Sequence, residues 1–346
     1  MEIFGVVEGI LEPWREPSAR LPGAGRGEET MHNGIRSKRS YASMRSTFRI
    51  AALAALAAVA VAAPVAQAGG PPPAPDRVFR EGGVKYVQKR ITSGIGSDVA
   101  GVQVPCGGKR WRAVGGGADL VQGFAPAVYL LQSSPFDWNA VHGGDADQKP
   151  DDGWEVFLRE EAGPDLLVDV WAICVRRGAV RYRRDDEDIG MGEGATARAS
   201  CRRRDSVLGG GFFIVPVLVT EASILAPFDG GDRGSRPDDG WTVHGFNHTG
   251  IGSIVGAHAI CGRDKGLSYR SKAAAAPSML ATRSPTARCK GRAHALSGGG
   301  SVGSGHIVES HPIDGPDRGK VPDDGWRVTL VTAAGFKTRA FAVCRK

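Results

Sequence analysis

Aspartate offers most of the chemistry in this 346-residue chain, because it returns at four positions in each of three stretches. Asp137, Asp229 and Asp314 come first, then Asp145, Asp232 and Asp317, then the doublets Asp151 with Asp152, Asp238 with Asp239, and Asp323 with Asp324. Repeated carboxylates ahead of glycine could ligate Ca²⁺, which takes about six to eight oxygens. They could also act as the acid and nucleophile of a polysaccharide hydrolase. The spacing is not that of an EF-hand loop, Lys149 and Arg236 interrupt the acids, and adjacent carboxylates on an extended chain point to opposite faces. Tight turns need the same residues, since Asp bonds nearby backbone and Gly accepts positive φ. The turn reading is preferred, so no cofactor and no metal is expected. Asp145, Asp151, Asp152, Asp232, Asp238, Asp239, Asp317, Asp323 and Asp324 stay as candidate ligand contacts.

Other patterns carry less. Trp154, Trp241 and Trp326 could stack on sugar rings, but each alternates with Val, which places it on the apolar face of a strand. Trp138 lies in a segment the other stretches lack, and is the better candidate ligand aromatic. Gly299 to Gly303 spells G-x-S-x-G around Ser301, the nucleophile-elbow pattern, without the strand-to-helix context it requires. Lining up the glycine triplets sets Ala118 and Phe212 opposite Ser301. His244 and His248 are four apart, and on a strand that is roughly 13 Å, too far to share an ion. The Gly triplets lack the Lys-Ser or Lys-Thr of a phosphate loop and read as bulges or close backbone approaches. No catalytic residue is assigned.

The string Pro-Asp-Asp-Gly-Trp occurs at 150–154, 237–241 and 322–326 and fixes the register of a threefold repeat. A first cysteine precedes a Gly triplet in each copy: Cys106 with Gly115 to Gly117, Cys201 with Gly209 to Gly211, and Cys289 with Gly298 to Gly300. A second cysteine closes each, as Cys174, Cys261 and Cys344, and a tyrosine stands 19 or 20 residues ahead of the first, as Tyr86, Tyr182 and Tyr269. Repeat symmetry favours Cys106 with Cys174, Cys201 with Cys261, and Cys289 with Cys344. The rival scheme pairs neighbours across copies, such as Cys174 with Cys201. Zinc is disfavoured, because no two cysteines are close in sequence.

The units run over 84–177, 178–265 and 266–346, behind a Pro/Gly-rich lead at 69–83. Short alternating stretches between Gly, Pro and Asp clusters predict antiparallel strands. The expected fold is all-β: three tandem sandwich-like units, each with one disulfide. The alternative is a single pseudo-threefold β-prism in which each unit supplies one sheet.

Residues 44–68 have the layout of a secretory signal: Arg45 and Arg49, an apolar run from Ile50 to Ala63, then Ala66-Gln67-Ala68. Residues 1–43 ahead of it read as an extension before the true start, or as a long n-region. The run is too short and Ala-rich for a lasting membrane span, so an extracellular protein is expected. The formal net charge of +7 is locally concentrated in Arg176, Arg177, Arg181, Arg183, Arg184 and Arg202 to Arg204. Asp185, Asp186, Glu187 and Asp188 offset them, so a nucleic-acid partner is not expected.

With its Tyr86, Cys106, Gly115 to Gly117, Gly153-Trp154 and Ala172-x-Cys174 pattern, repeated twice more, the chain resembles a family of secreted bacterial proteins frequent in high-GC Gram-positives. That family has no assigned activity, so the resemblance implies export and β architecture and transfers no active residue. The functional expectation is a secreted or envelope-associated, non-enzymatic binding or structural protein, with carbohydrate or an anionic envelope polymer as the candidate ligand. The alternative is a secreted polysaccharide hydrolase using the loop aspartates.

Overall fold

The computed structural model describes residues 77–346 apart from 94–99, 124–126, 138–148, 162–165, 177, 179, 216–219, 231–233, 249 and 316–318. The signal at 44–68, the extension at 1–43 and the start of the lead therefore lie outside the described residues. So do Trp138, Asp145, Asp232 and Asp317.

The described chain is all-β. The first repeat supplies β2 (Val84–Ser93), β3 (Ala100–Pro105), β4 (Trp111–Gln122), β5 (Val128–Phe136), β6 (Gly153–Glu160) and β7 (Leu166–Arg176), preceded by β1 (Arg77–Glu81) from the end of the lead. The second supplies β8 (Arg181–Ile189), β9 (Gly194–Ser200), β10 (Ser206–Val215), β11 (Thr220–Phe228), β12 (Gly240–Asn247) and β13 (Ser253–Gly262). The third supplies β14 (Leu267–Ala274), the short β15 (Ala281–Arg283) and β16 (Thr286–Arg288), β17 (His294–Val302), β18 (Gly305–Ile313), β19 (Gly325–Thr332) and β20 (Thr338–Arg345).

Each repeat is a wedge of two half-sheets. In the first, β2-β7-β4 forms one half and β3-β6-β5 the other, and the pattern recurs as β8-β13-β10 with β9-β12-β11 and as β14-β20-β17 with β15/β16-β19-β18. This is the sandwich-like, three-unit fold the repeat predicts. The half-sheets then run on from one wedge into the next. The first sheet joins β4 to β18 of the third repeat, the second joins β10 to β5 of the first repeat, and the third joins β17 to β11 of the second repeat. A three-faced prism results, each face shared by two repeats rather than supplied by one. The three repeats accordingly form one compact unit.

Inside each wedge the tryptophan is the keystone. Trp154, Trp241 and Trp326 are at most 1% exposed, and each lies against the strand of the opposite half-sheet at Gly116, Gly210 and Gly298. A Cβ at any of these glycines would overlap the indole, so the ring and the bare backbone are matched. Burying an area on the order of 200 Å² contributes an upper bound of roughly 5 kcal/mol per ring. Trp154 Nε1 donates to Ser133 Oγ and Trp326 Nε1 to Ser310 Oγ, both at 2.8 Å. Leu225 takes that position in the second repeat, and Trp241 Nε1 has no partner among the described residues.

All three disulfides form as repeat symmetry requires: Cys106–Cys174, Cys201–Cys261 and Cys289–Cys344. Each ties the turn before the glycine-bearing strand to the closing strand, and no cysteine is free. Three disulfides fit a chain that matures in an oxidising, extracellular environment. No helix among the described residues is long and apolar enough to cross a membrane.

Strand pairing corrects one detail of the repeat alignment. Bulges fall between Ala113 and Gly115, Val207 and Gly209, and Ala295 and Ser297, so Ser297, not Gly298, is the counterpart of Gly115 and Gly209. Ser301 therefore corresponds to Asp119 and Phe213, not to Ala118 and Phe212. It also lies within strand β17, where no nucleophile elbow can form.

Candidate functional site

The aspartate doublets occupy the turn that feeds each tryptophan. The backbone carbonyl of Asp152 accepts from Cys106 N–H at 2.8 Å and that of Asp151 from Ala113 N–H at 2.9 Å. Asp239 and Asp238 do the same for Cys201 and Val207, and Asp324 and Asp323 for Cys289 and Ala295. The turn thus stitches both ends of the cysteine-bearing loop. Its first side chain also has a recurring partner at the start of the glycine-bearing strand that follows that loop. Asp151 Oδ2 lies 2.7 Å from Arg112 Nε, Asp238 Oδ2 accepts from Ser206 Oγ at 3.1 Å, and Asp323 pairs with His294 Nδ1. Asp151 is 2% exposed and Asp323 5%. Asp239 Oδ2 accepts from Gly230 N–H at 2.7 Å.

His244 and His248 go separate ways, His244 Nδ1 to Thr196 Oγ1 at 2.9 Å and His248 Nε2 to Glu221 at 3.2 Å. Several arginines of the basic run are likewise engaged. Arg181 pairs with Asp205, which also meets Arg263 Nε at 3.3 Å, and Arg184 chelates Asp186 at 2.8 and 2.9 Å. Hydrogen bonds and charge from both arginines hold the Asp205 carboxyl below the usual carboxylate range, although its burial works the other way.

The differentiated surface lies elsewhere, on the outer faces where two wedges join. At the joint of the second sheet, β5, β8, β10 and β13 frame a cleft of about 590 Å³ lined by Gln132, Ser134, Phe136, Tyr182, Arg183, Arg184, Phe213 and His258. Asp137 and Pro150, on either side of the segment carrying Trp138 and Asp145, line it too. Arg184 lies over the Phe213 ring at 4.2 Å, and the His258 ring packs at 5.7 Å from the same phenyl. Burial, and secondarily the Arg184 charge, pushes His258 down to about 4. The imidazole is neutral at pH 7, so the positive charge in the cleft comes from the arginines.

The equivalent joints are chemically different. Register places Gln88, Asp119, Trp171 and His311 of the first sheet where the second carries Arg184, Phe213, His258 and Ser134. The third sheet has Ser271, Ser301, Phe341 and Ala226. The first sheet's joint forms a second, smaller cleft lined by residues that include Phe79, Asp119, Trp171, His311 and Arg327. Apart from Arg184, singled out only as part of the basic run, sequence reasoning missed these residues. The signal that finds them is divergence between copies at one structural position, and it emerges only once strand pairing fixes the register. No protein-family model and no curated protein matches the chain.

Proposed function

We propose that this chain is an exported, non-enzymatic binding protein that holds an anionic saccharide polymer in the cleft of the second sheet. The single observation that carries the reading is the combination in one open cleft of the Arg184 guanidinium, stacked on the buried Phe213 ring, with Arg183, Tyr182 and the amide and hydroxyl of Gln132 and Ser134. Guanidinium groups suit acidic substituents, and an amide and hydroxyls suit the hydroxyl groups of a sugar. Export is supported by the signal-like segment at 44–68 and by a cysteine complement spent wholly on disulfides.

The hydrolase alternative draws less support, because Asp151 is buried against Arg112 and its doublet partner contributes its carbonyl to the stitch at Cys106. The deciding experiment is a glycan array of uronate-bearing, sulfated and neutral saccharides, run beside a hydrolysis screen. Retention of acidic glycans that weakens with salt and drops at least tenfold in the Arg183→Ala, Arg184→Ala double variant is the expected outcome. Turnover that disappears in Asp152→Asn would replace this reading with the hydrolase one.

A further inference from the structure

Three side chains converge on the outer face of the first sheet, at the joint between β4 and β18. A carboxylate oxygen each of Asp119 and Glu309 and a ring nitrogen of His311 lie within 4.8 Å of one another. His311 is 4% exposed. Its Nδ1 is 3.0 Å from the Pro312 carbonyl, which can only accept, so Nδ1 carries a proton and, in the neutral imidazole, Nε2 presents a bare lone pair. That Nε2 is buried, makes no hydrogen bond, and stands 3.5 Å from Asp119 Oδ1. A buried lone pair facing a carboxylate is repulsive, and a cation between them turns the repulsion into two bonds.

The surroundings are arranged as a metal site's are. Thr329 Oγ1 lies 2.8 Å from Glu309 Oε2 and 2.9 Å from Ser284 Oγ, and the Leu120 amide also bonds the Glu309 carboxylate. The Nδ1 bond to Pro312 fixes the imidazole plane. Such outer contacts orient ligands and fix the tautomer. Asp169, beside Asp119 across β4 and β7, is already held by Arg90 at 2.6 and 2.7 Å.

We propose that Asp119, Glu309 and His311 ligate a divalent transition-metal ion of the zinc class, with a fourth coordination position open to the cleft. One imidazole with two carboxylates suits zinc, whereas Ca²⁺ and Mg²⁺ take oxygen ligands alone. Tetrahedral zinc, with bonds of about 2.0–2.2 Å, sets neighbouring ligand atoms roughly 3.3–3.5 Å apart, the spacing already present between Nε2 and Oδ1. The set is private to this joint. Phe213, Gln132 and Ser134 stand at the same positions in the second sheet, and Ser301, Ile224 and Ala226 in the third, so the repeat fold requires none of the three ligands. A second grouping, Glu81 with His294 and Asp323, is accounted for otherwise, because His294 and Asp323 repeat the structural pairs Arg112–Asp151 and Ser206–Asp238.

The test is zinc binding by the oxidised full-length chain, without a histidine tag and after chelator treatment, followed by calorimetry and elemental analysis. One equivalent of Zn²⁺ is expected, with Ca²⁺ and Mg²⁺ failing to compete, and cobalt substitution should give the intense visible bands of a four-coordinate site. Asp119→Ser and His311→Ser copy residues of the sister repeats and should weaken binding at least tenfold while leaving the chelated protein's thermal midpoint within a few degrees. Failure to bind zinc overturns the proposal, as does loss of the ion in Glu81→Gln rather than Asp119→Ser. Should His311→Ser not fold, the cobalt spectrum of the unmutated chain and the partly exposed Asp119→Ser still decide it.

Discussion

The hydroxyl of Tyr182 donates a 2.6 Å hydrogen bond to the backbone carbonyl of Ala113, a residue of the preceding repeat. Tyr269 does the same to Val207 at 2.8 Å and Tyr86 to Ala295 at 2.7 Å, so the three bonds run from each repeat to another and close a ring. Every acceptor stands next to a bulge, where the ladder is locally disrupted. The strand joints themselves are short: Ala118 pairs with Ser310, Phe212 and Phe213 with Ser133 and Gln132, and Ser301 with Ile224. The recurring tyrosine is therefore the clamp between wedges.

Tyr182→Phe keeps the ring and removes the bond. A loss of about 1 kcal/mol is expected, and a similar loss for Tyr86→Phe and Tyr269→Phe, because each leaves a carbonyl without its donor. In a domain of this size that lowers the thermal midpoint by roughly 2–4 °C per substitution. Three single variants and the triple, compared by calorimetry, check it. No shift in any of them would remove the clamp.

The axis between the wedges has room for one side chain. A Cβ on Gly115 would run into the Leu296 carbonyl and one on Gly209 into the Val114 carbonyl, while the third equivalent position is filled by Ser297, fully buried. Ser297 Oγ accepts from Gly210 N–H at 3.4 Å, a long bond that adds little. Gly209→Ala is expected to destabilise by about 3 kcal/mol or more through backbone displacement, whereas Ser297→Ala costs about 1 kcal/mol or less. Urea unfolding of the two variants should show that asymmetry, and equal losses would contradict the single-occupancy axis.

Much of this was legible in the residues. The Pro-Asp-Asp-Gly-Trp strings set the repeat, the alternation of Trp154 with Val156 placed the indole inside, and the two cysteines per copy gave the pairing. These are local or symmetric signals. The joining of β4 to β18 pairs Ala118 with Ser310, residues far apart in the chain, and nothing in either strand specifies a partner at that distance. The third copy carries Ser297 at the first site of the triplet and its glycines one position later, hiding the correspondence of Asp119 with Phe213 and Ser301. The loop aspartates drew attention because they recur, and they recur because each copy needs the same stitch. Asp119, Glu309 and His311 have no counterparts of like chemistry, so no repeat search could raise them.

Shared sheets make each repeat dependent on the other two. The third repeat alone would expose Leu296 and Val308, both at most 1% exposed in the whole chain, along with the joint edges of β17 and β18. Residues 266–346 expressed by themselves, with Cys289–Cys344 formed, are expected to show no cooperative unfolding transition. A sharp thermal transition in that fragment would mean that the wedges fold separately and dock afterwards.

Acid should find the cleft histidine. His258 is pushed down to about 4 by burial and then by Arg184, with Asp186 opposing, against an ordinary value near 6.5 in the unfolded chain. Between those values the unfolded chain takes up a proton that the folded one declines, so stability is complete above about pH 6.5, falls as the pH drops, and levels off below about 4. The full excursion is on the order of 3 kcal/mol. His258→Phe places at this position the residue that the third repeat has in Phe341, and removes the titration while keeping an aromatic ring over β13. Urea unfolding at pH 7, 5.5 and 4.5 should therefore show a shallower decline for His258→Phe than for the unmutated chain, the gap widening toward pH 4.5. Parallel declines would mean that the imidazole is protonated in the folded cleft, and that Arg184 and Phe213 do not enclose it as the geometry indicates.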